Sequence, residues 1–313
     1  MENLTSFVSS RGLLKSCGCH NKKPISGIPQ LDAGLVDAHR PLGSIYVCTD
    51  ALKLFSETLL PRIRDAFTLV SGDSDVPVDD TLISSPAIST LLESEYLVAW
   101  YAQNLTASHA KLNHLPIGLD YHTMWDRPGF WGMSPMSCVA QENSLINTLA
   151  ASPDIYQRYL SVYCNWHFAL DRGDRRACFE KLDRSVCFFE TRSVPRNSTW
   201  LRQAECAFVA SPEGAGIDCH RTWEALLLGC IPIVKKSALT GLFAELPVLI
   251  VDDWQQVNRD LLLQFLGALS QRTFDYSSLF REHWVRRFSG RDENILDAMS
   301  YSAFRQFITR KTG

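Results

Sequence analysis

The sequence predicts an α/β protein made of two consecutive series of parallel βα units. Three observations predict it. Short runs rich in β-branched and aromatic residues alternate with stretches whose apolar residues recur at helical spacing. The alternation occurs twice, with a break near residues 150–158. The chain has 313 residues and 46% hydrophobic content, enough for a sizeable core and better suited to two domains than one.

Residues 1–43 are rich in Gly, Pro and polar side chains and read as a loose lead-in. The first series follows. SIYVCT (44–49) is a strand, 51–63 a helix, and AFTLVS (66–71) a second strand. Residues 85–94 are helical, LVAWYA (97–102) is a strand, and 111–118 is a short strand ending in a turn. Residues 121–138 break the pattern with Gly, Pro, Met and Trp, as functional loops do. A helix over 141–152 closes the series.

The second series opens with a strand at 159–166. Helix 175–182, strand 185–190, helix 198–205, strand 206–211, helix 219–228 and strands 230–234 and 247–251 follow. Amphipathic helices over 255–269, 276–288 and 292–310 end the chain. The expected architecture is two Rossmann-like domains, 44–155 and 156–290, facing a cleft. Residues 291–313 form a C-terminal helix that packs back on the first domain. Ligands of open parallel sheets bind beyond the carboxyl ends of the strands.

Composition narrows the function. A net charge of −3 with 21% charged residues gives no basic footprint for nucleic acid. The N-terminal stretch lacks the apolar core of a signal peptide, and no run approaches the ~18 apolar residues of a membrane span. The expectation is a soluble protein that is not secreted. The ten cysteines then read as thiols, five of them (Cys48, Cys164, Cys187, Cys206, Cys230) inside strand-like runs. Cys17-Gly18-Cys19-His20 is half a metal site without its second half, so a mobile segment is expected there.

The stretch SPEGAGIDCHRTWEALLLGCIPIV (211–234) carries the most chemistry. Gly214 and Gly216 let a backbone come close to a ligand. Asp218 suits an N-cap and Gly229 the position after the helix. Such a strand–turn–helix unit favours phosphate. At ~100° per residue, His220, Arg221 and Glu224 share one arc, while Cys219, Trp223 and Leu226 face the core. Arg221 can pair with a diphosphate, Glu224 can accept from ribose hydroxyls, and His220 can donate to an oxygen. The bland alternative is a surface Arg221–Glu224 pair worth ~0.2–0.5 kcal/mol. The stretch lacks the third Gly of a dinucleotide fingerprint, which argues against NAD.

This stretch, with LPVLIVDDWQQV (246–257), resembles the nucleotide-sugar half of exostosin-type glycosyltransferases, whose wider group has the two-domain GT-B fold. TLVSGDSD (68–75) and residues 100–120 resemble the group more weakly. The resemblance implies a donor diphosphate at Gly214, Gly216, His220 and Arg221, with Glu224 on the ribose or sugar. It makes 44–155 the acceptor side. It implies transfer from a nucleoside-diphosphate sugar, UDP- or GDP-linked, to a glycan or glycoprotein, inverting and without a metal or other cofactor. Many members of that group carry a membrane anchor; with no such run here the expected setting is cytoplasmic, and a cytosolic transferase with this motif suits a bacterial or virus-encoded origin. Asp218 joins the donor set by its place in the motif.

Other residues are weighed beside these. Asp73 and Asp75 end a strand as Asp-x-Asp. That is the Mn²⁺ or Mg²⁺ signature of the GT-A fold, and the reading stays open as an alternative. On the GT-B reading Asp73, Asp75 and Asp120 are candidate general bases, with His122 a rival. Trp100, Trp125 and Trp131 can stack on a sugar, with His122 beside them. Asn165, directly after the strand residues 159–164, and Arg175 further on can reach the donor phosphates. A non-catalytic glycan- or nucleotide-binding protein is the remaining alternative.

Overall fold

The computed structural model describes residues 2–36 and 42–310. Near the start lies a five-residue helix, α1 (Ser10–Leu14), whose Ser9 side chain caps it by accepting from Gly12 N. The loose lead-in expected here is not found. Phe7, Val8 and Leu13 are fully buried, and Leu14 nearly so. Val8 donates to Leu279 O and accepts from Leu119 N. Cys19 runs beside residues 44–46, exchanging backbone bonds with Ser44 and Tyr46. The segment is too short and irregular to show a period. Its burial comes from partners far along the chain.

The first sheet contains β1 (Gly43–Cys48), β2 (Phe67–Gly72), β3 (Leu97–Ala102) and β4 (Leu112–His114). The strands are parallel and lie in the order β1-β2-β3-β4. Helices α2 (Leu52–Thr58), α3 (Asp80–Ile83) and α4 (Pro86–Glu93) fill the crossovers. Pro86 starts α4 with a preset φ. Strand alternation divides the sheet: Ile45, Val47 and Leu69 pack with Phe55, Ile88 and Leu91, while Tyr46 and Val70 face the opposite way. The short α5 (Thr123–Asp126) and the long α6 (Cys138–Ala151) follow.

The second sheet contains β5 (Tyr159–Cys164), β6 (Cys187–Phe189), β7 (Cys206–Ala210), β8 (Ile231–Lys235) and β9 (Leu249–Val251), all parallel. Helices α7 (Arg175–Lys181), α8 (Arg196–Gln203) and α9 (His220–Leu227) lie in its crossovers. The order is β6-β5-β7-β8-β9, so the chain reverses direction between β5 and β7. That is a topological switch point, where open α/β sheets bind ligands. The first sheet, as described, has no such reversal.

Three helices end the chain: α10 (Arg259–Leu269), α11 (Arg281–Phe288) and α12 (Tyr301–Thr309). The helix expected over 292–310 starts only at Tyr301, because 299–300 pair with 273–274 as a two-stranded ribbon. Helix α12 lies against α6, and its Tyr301 hydroxyl donates to Gly229 O. The face holding Tyr46 and Val70 belongs to one buried cluster with Phe7, Leu119, Val209, Trp223 and Phe304. That cluster joins both sheets. None of the ten cysteines, all of them described residues, is in a disulfide. Among the described residues no helix is long and apolar enough to cross a membrane.

Candidate functional site

Two loops leave the switch point at the carboxyl ends of their strands: 165–174 after β5 and 211–219 after β7. They are pressed together. Gly173, at φ +52°, has no room for a Cβ, which would fall 2.5 Å from Glu213 O. Asp174 accepts from Glu213 N at 2.8 Å and from the Trp254 indole at 2.8 Å.

The burial of α9 follows its helical phase. Trp223 and Leu226 are buried, and His220, Arg221 and Glu224 are half-buried. Gly229 has φ +64° at the position after the helix. The start of α9 differs from expectation. Cys219 occupies the N-cap without a side-chain bond. Asp218 turns inward instead. Its carboxylate accepts from Ile117 N at 2.7 Å and from the Trp223 indole at 2.9 Å. Burial pushes that carboxyl up to about 6, against the pull of both donors. Asp218 therefore fastens the first half of the chain to α9 and is not presented to a ligand.

The glycines divide in the same way. Neither Gly214 nor Gly216 has a positive φ; what they allow is close approach. A Cβ on Gly214 would stand 3.2 Å from Nη2 of Arg175. A Cβ on Gly216 would stand 2.9 Å from Nδ2 of Asn104. Gly216 thus makes room for a side chain of the first half, not for a diphosphate.

The three polar residues of α9 point to different partners. His220 donates from Nδ1 to Gly118 O at 2.7 Å. Glu224 accepts at Oε1 from Nη2 and Nε of Arg196, at 2.6 and 3.2 Å. Among the described residues Arg221 makes one long side-chain bond, to Pro212 O at 3.4 Å. Among the described residues neither Arg221 nor Arg175 has a carboxylate within ion-pair distance. The two are close enough to repel. Burial, then Arg221, lowers the proton affinity of Arg175. Arg175 Nε and Asn165 Oδ1 are buried with no hydrogen-bond partner.

A second cluster lies in the first half, beside His220. Asp73, at φ +55°, is buried. Its Oδ2 accepts from Arg11 Nε at 2.9 Å and its Oδ1 from Ser26 Oγ at 2.7 Å. Asp75 is exposed. His122 sits between two carboxylates, with Nδ1 3.2 Å from Asp120 Oδ1 and Nε2 3.9 Å from Asp73 Oδ1. Burial holds His122 below the usual histidine range, against the pull of Asp120 and Asp73. Burial pushes Asp120 upward, but His122, His220 and Arg196 outweigh it and hold its carboxyl well below the usual carboxylate range.

The aromatic candidates separate too. Trp100 is fully buried, and its indole donates to Ser71 Oγ at 2.8 Å. It is a core residue, which overturns its place in an acceptor site. A strand residue in LVAWYA gives no local sign of which sheet face is covered. Trp125 is 46% exposed, and Trp131 lies under the Arg196 guanidinium, 5.3 Å from its ring centre. Arg11, Arg196 and Glu142 are the residues the sequence did not single out. Glu142 accepts from Ser6 N, Phe7 N and the Tyr121 hydroxyl. For Arg196 a signal was there, an Arg opening a helix after Pro195; for Arg11 there was none.

No protein-family model matches the chain, and no curated protein matches it by sequence.

Proposed function

We propose that the protein is a glycosyltransferase of the GT-B type that takes its sugar from a nucleoside diphosphate. One observation carries this reading. Arg175 and Arg221 are two half-buried guanidiniums with no carboxylate within ion-pair distance among the described residues, gathered at the switch point of a parallel sheet. Like charges held together in this way cost free energy unless an anion joins them. A diphosphate matches two guanidinium forks in shape and charge. Asn165, with a buried orphan oxygen, stands at the end of the neighbouring strand.

The donor set is smaller than the motif implies. Gly214, Arg175, Arg221 and Asn165 remain in it. Glu224 keeps a place through its outward half, since both Arg196 bonds go to one oxygen. His220 also stays, because its bond to Gly118 uses Nδ1 alone.

The general base moves from the carboxylates to His122. Both oxygens of Asp73 are taken by Arg11 and Ser26. Asp120 holds its proton too weakly to be an effective base. His122 is held neutral by burial and has Asp120 at Nδ1 to orient it. In the proposed step Nε2 takes the acceptor hydroxyl proton as that oxygen attacks the anomeric carbon. The bond from that carbon to the diphosphate breaks, and the electron pair leaves with the diphosphate. Arg175 and Arg221 stabilise the charge that grows there. In-line displacement inverts the anomeric centre. The GT-A reading has less support, because a metal on Asp73 would have to displace Arg11.

A thermal-shift screen against nucleoside diphosphates and their sugars tests the reading. One nucleotide should raise the melting temperature by ligand linkage. Calorimetry should then find its affinity reduced about tenfold or more in both Arg175→Ala and Arg221→Ala, as loss of a charge-assisted contact implies. Unchanged affinity in both variants, or no shift with any nucleotide, would sink it. Binding without transfer to any acceptor would favour a non-catalytic nucleotide-binding protein.

A further inference from the structure

We propose that Arg11, on the N-terminal helix α1, is a positioning residue of this site: it holds Asp73 in a buried ion pair and ties the 121–138 loop to it. The inference rests on the reading of His122 as the base.

The geometry is a chain of contacts across four segments. Arg11 is 5% exposed. Its Nε donates to Asp73 Oδ2 at 2.9 Å. Its Nη2 donates to Ser26 Oγ at 3.1 Å and to Asp126 Oδ2 at 3.0 Å. Ser26 closes the ring by donating to Asp73 Oδ1. His122 Nε2 stands 3.9 Å from that same Oδ1. Arg11 therefore neutralises the carboxylate nearest the reactive nitrogen, and it grips Asp126 on α5, four residues after His122.

A guanidinium buried here is costly without a reason, because each buried ion loses its hydration. Core packing alone would be met by an apolar residue. The backbone that carries Arg11 is fixed independently, since Glu142 accepts from both Ser6 N and Phe7 N.

The charged and titratable groups facing His122 are Asp120 on its own loop, Asp73 after β2, Arg11 on α1 and His220 on α9. The two carboxylates favour the imidazolium, and Arg11 and His220 oppose it. Arg11, paired with Asp73 at 2.9 Å, works against what Asp73 adds. Without it His122 would hold a proton to higher pH and lose its capacity as a base near neutrality.

The test is the histidine NMR titration of the full-length protein, with His122 assigned by substitution. In Arg11→Met the His122 midpoint should rise, and the acid limb of any transfer pH profile should move up with it. In Arg11→Lys, which keeps the charge and loses the fork, the midpoint should stay near that of the parent while loop 121–138 becomes more open to protease. Arg11→Met with Asp73→Asn removes both ions and should bring the midpoint back. An unmoved midpoint in folded Arg11→Met overturns the proposal. So does a double variant that remains shifted, and this readout holds even if the single variant does not fold. The NMR midpoints and the proteolysis need no nucleotide, so failure of the donor reading and failure of this inference are distinguishable.

Discussion

The side-chain amide of Asn104 occupies the space over Gly216 where a Cβ would stand, 2.9 Å from Nδ2 and 3.1 Å from Oδ1. The amide is pinned at both ends. Its Nδ2 donates to Ser74 O at 3.1 Å, and its Oδ1 accepts from Asp218 N at 2.9 Å. A methyl at Gly216 therefore cannot push it aside cheaply. Gly216→Ala should cost roughly 1–3 kcal/mol, the range for overpacking. Asn104 has φ +51°, so Asn104→Gly keeps the backbone and removes the obstacle. In that background Gly216→Ala should cost much less. Denaturant melts of the four proteins check the coupling; additive effects would refute it.

The Arg196–Glu224 pair changes what a substitution at Glu224 means. The Arg196 side chain is only 4% exposed. Glu224→Ala strands that buried cation, and breaking a buried pair costs on the order of 3–5 kcal/mol. Loss of nucleotide binding in that variant alone would not identify a ligand contact. Arg196→Met with Glu224→Met should recover much of the stability. If Glu224 also touches the ribose, nucleotide affinity should stay weak in the stable double variant. Recovery of affinity there would remove Glu224 from the donor site.

Asp218 gives a signed pH dependence. Its folded pKa of about 6 lies above the ordinary 3.8, so the native state binds the proton more tightly than the unfolded chain. Its favourable contribution is complete below about pH 4 and is lost as pH rises through about 6. The lost contribution is on the order of 3 kcal/mol. Subtracting an Asp218→Asn series from the parent isolates it from the other titrations. Urea stability measured from pH 4 to pH 7 should show a fall in the parent that the variant lacks. Parallel curves would overturn the assignment.

The N-terminal segment is part of the fold. Phe7, Val8, Leu13 and Leu14 are each buried, at ~1.5–3 kcal/mol per side chain. Their sum, about 6–12 kcal/mol, rivals the 5–15 kcal/mol stability of a typical domain. A chain starting at Lys15 should unfold or aggregate at 25 °C, as circular dichroism and tryptophan emission would report. A cooperative, parent-like melt would contradict this.

The local sequence determined most of the strands and longer helices, because period and punctuation are local quantities; α1, held by distant partners, it did not. LVAWYA is a strand over the residues expected, and α9 buries Trp223 and Leu226 while leaving Arg221 half-open. It also marked the turn after β7 as the place to look. The tertiary structure alone decided what that turn faces. Asn104 reaches Asp218 across 114 residues, Arg11 reaches Asp73 across 62, and Arg196 reaches Glu224 across 28. No periodicity encodes such approaches. A buried charge takes whichever partner the packed sheets bring within about 3 Å, so the same Asp or Glu is a cap, a latch or a counterion according to what lies opposite. Sequence pattern selected Arg221; the carboxylates that went to other cations left it and Arg175 without a carboxylate in ion-pair distance among the described residues.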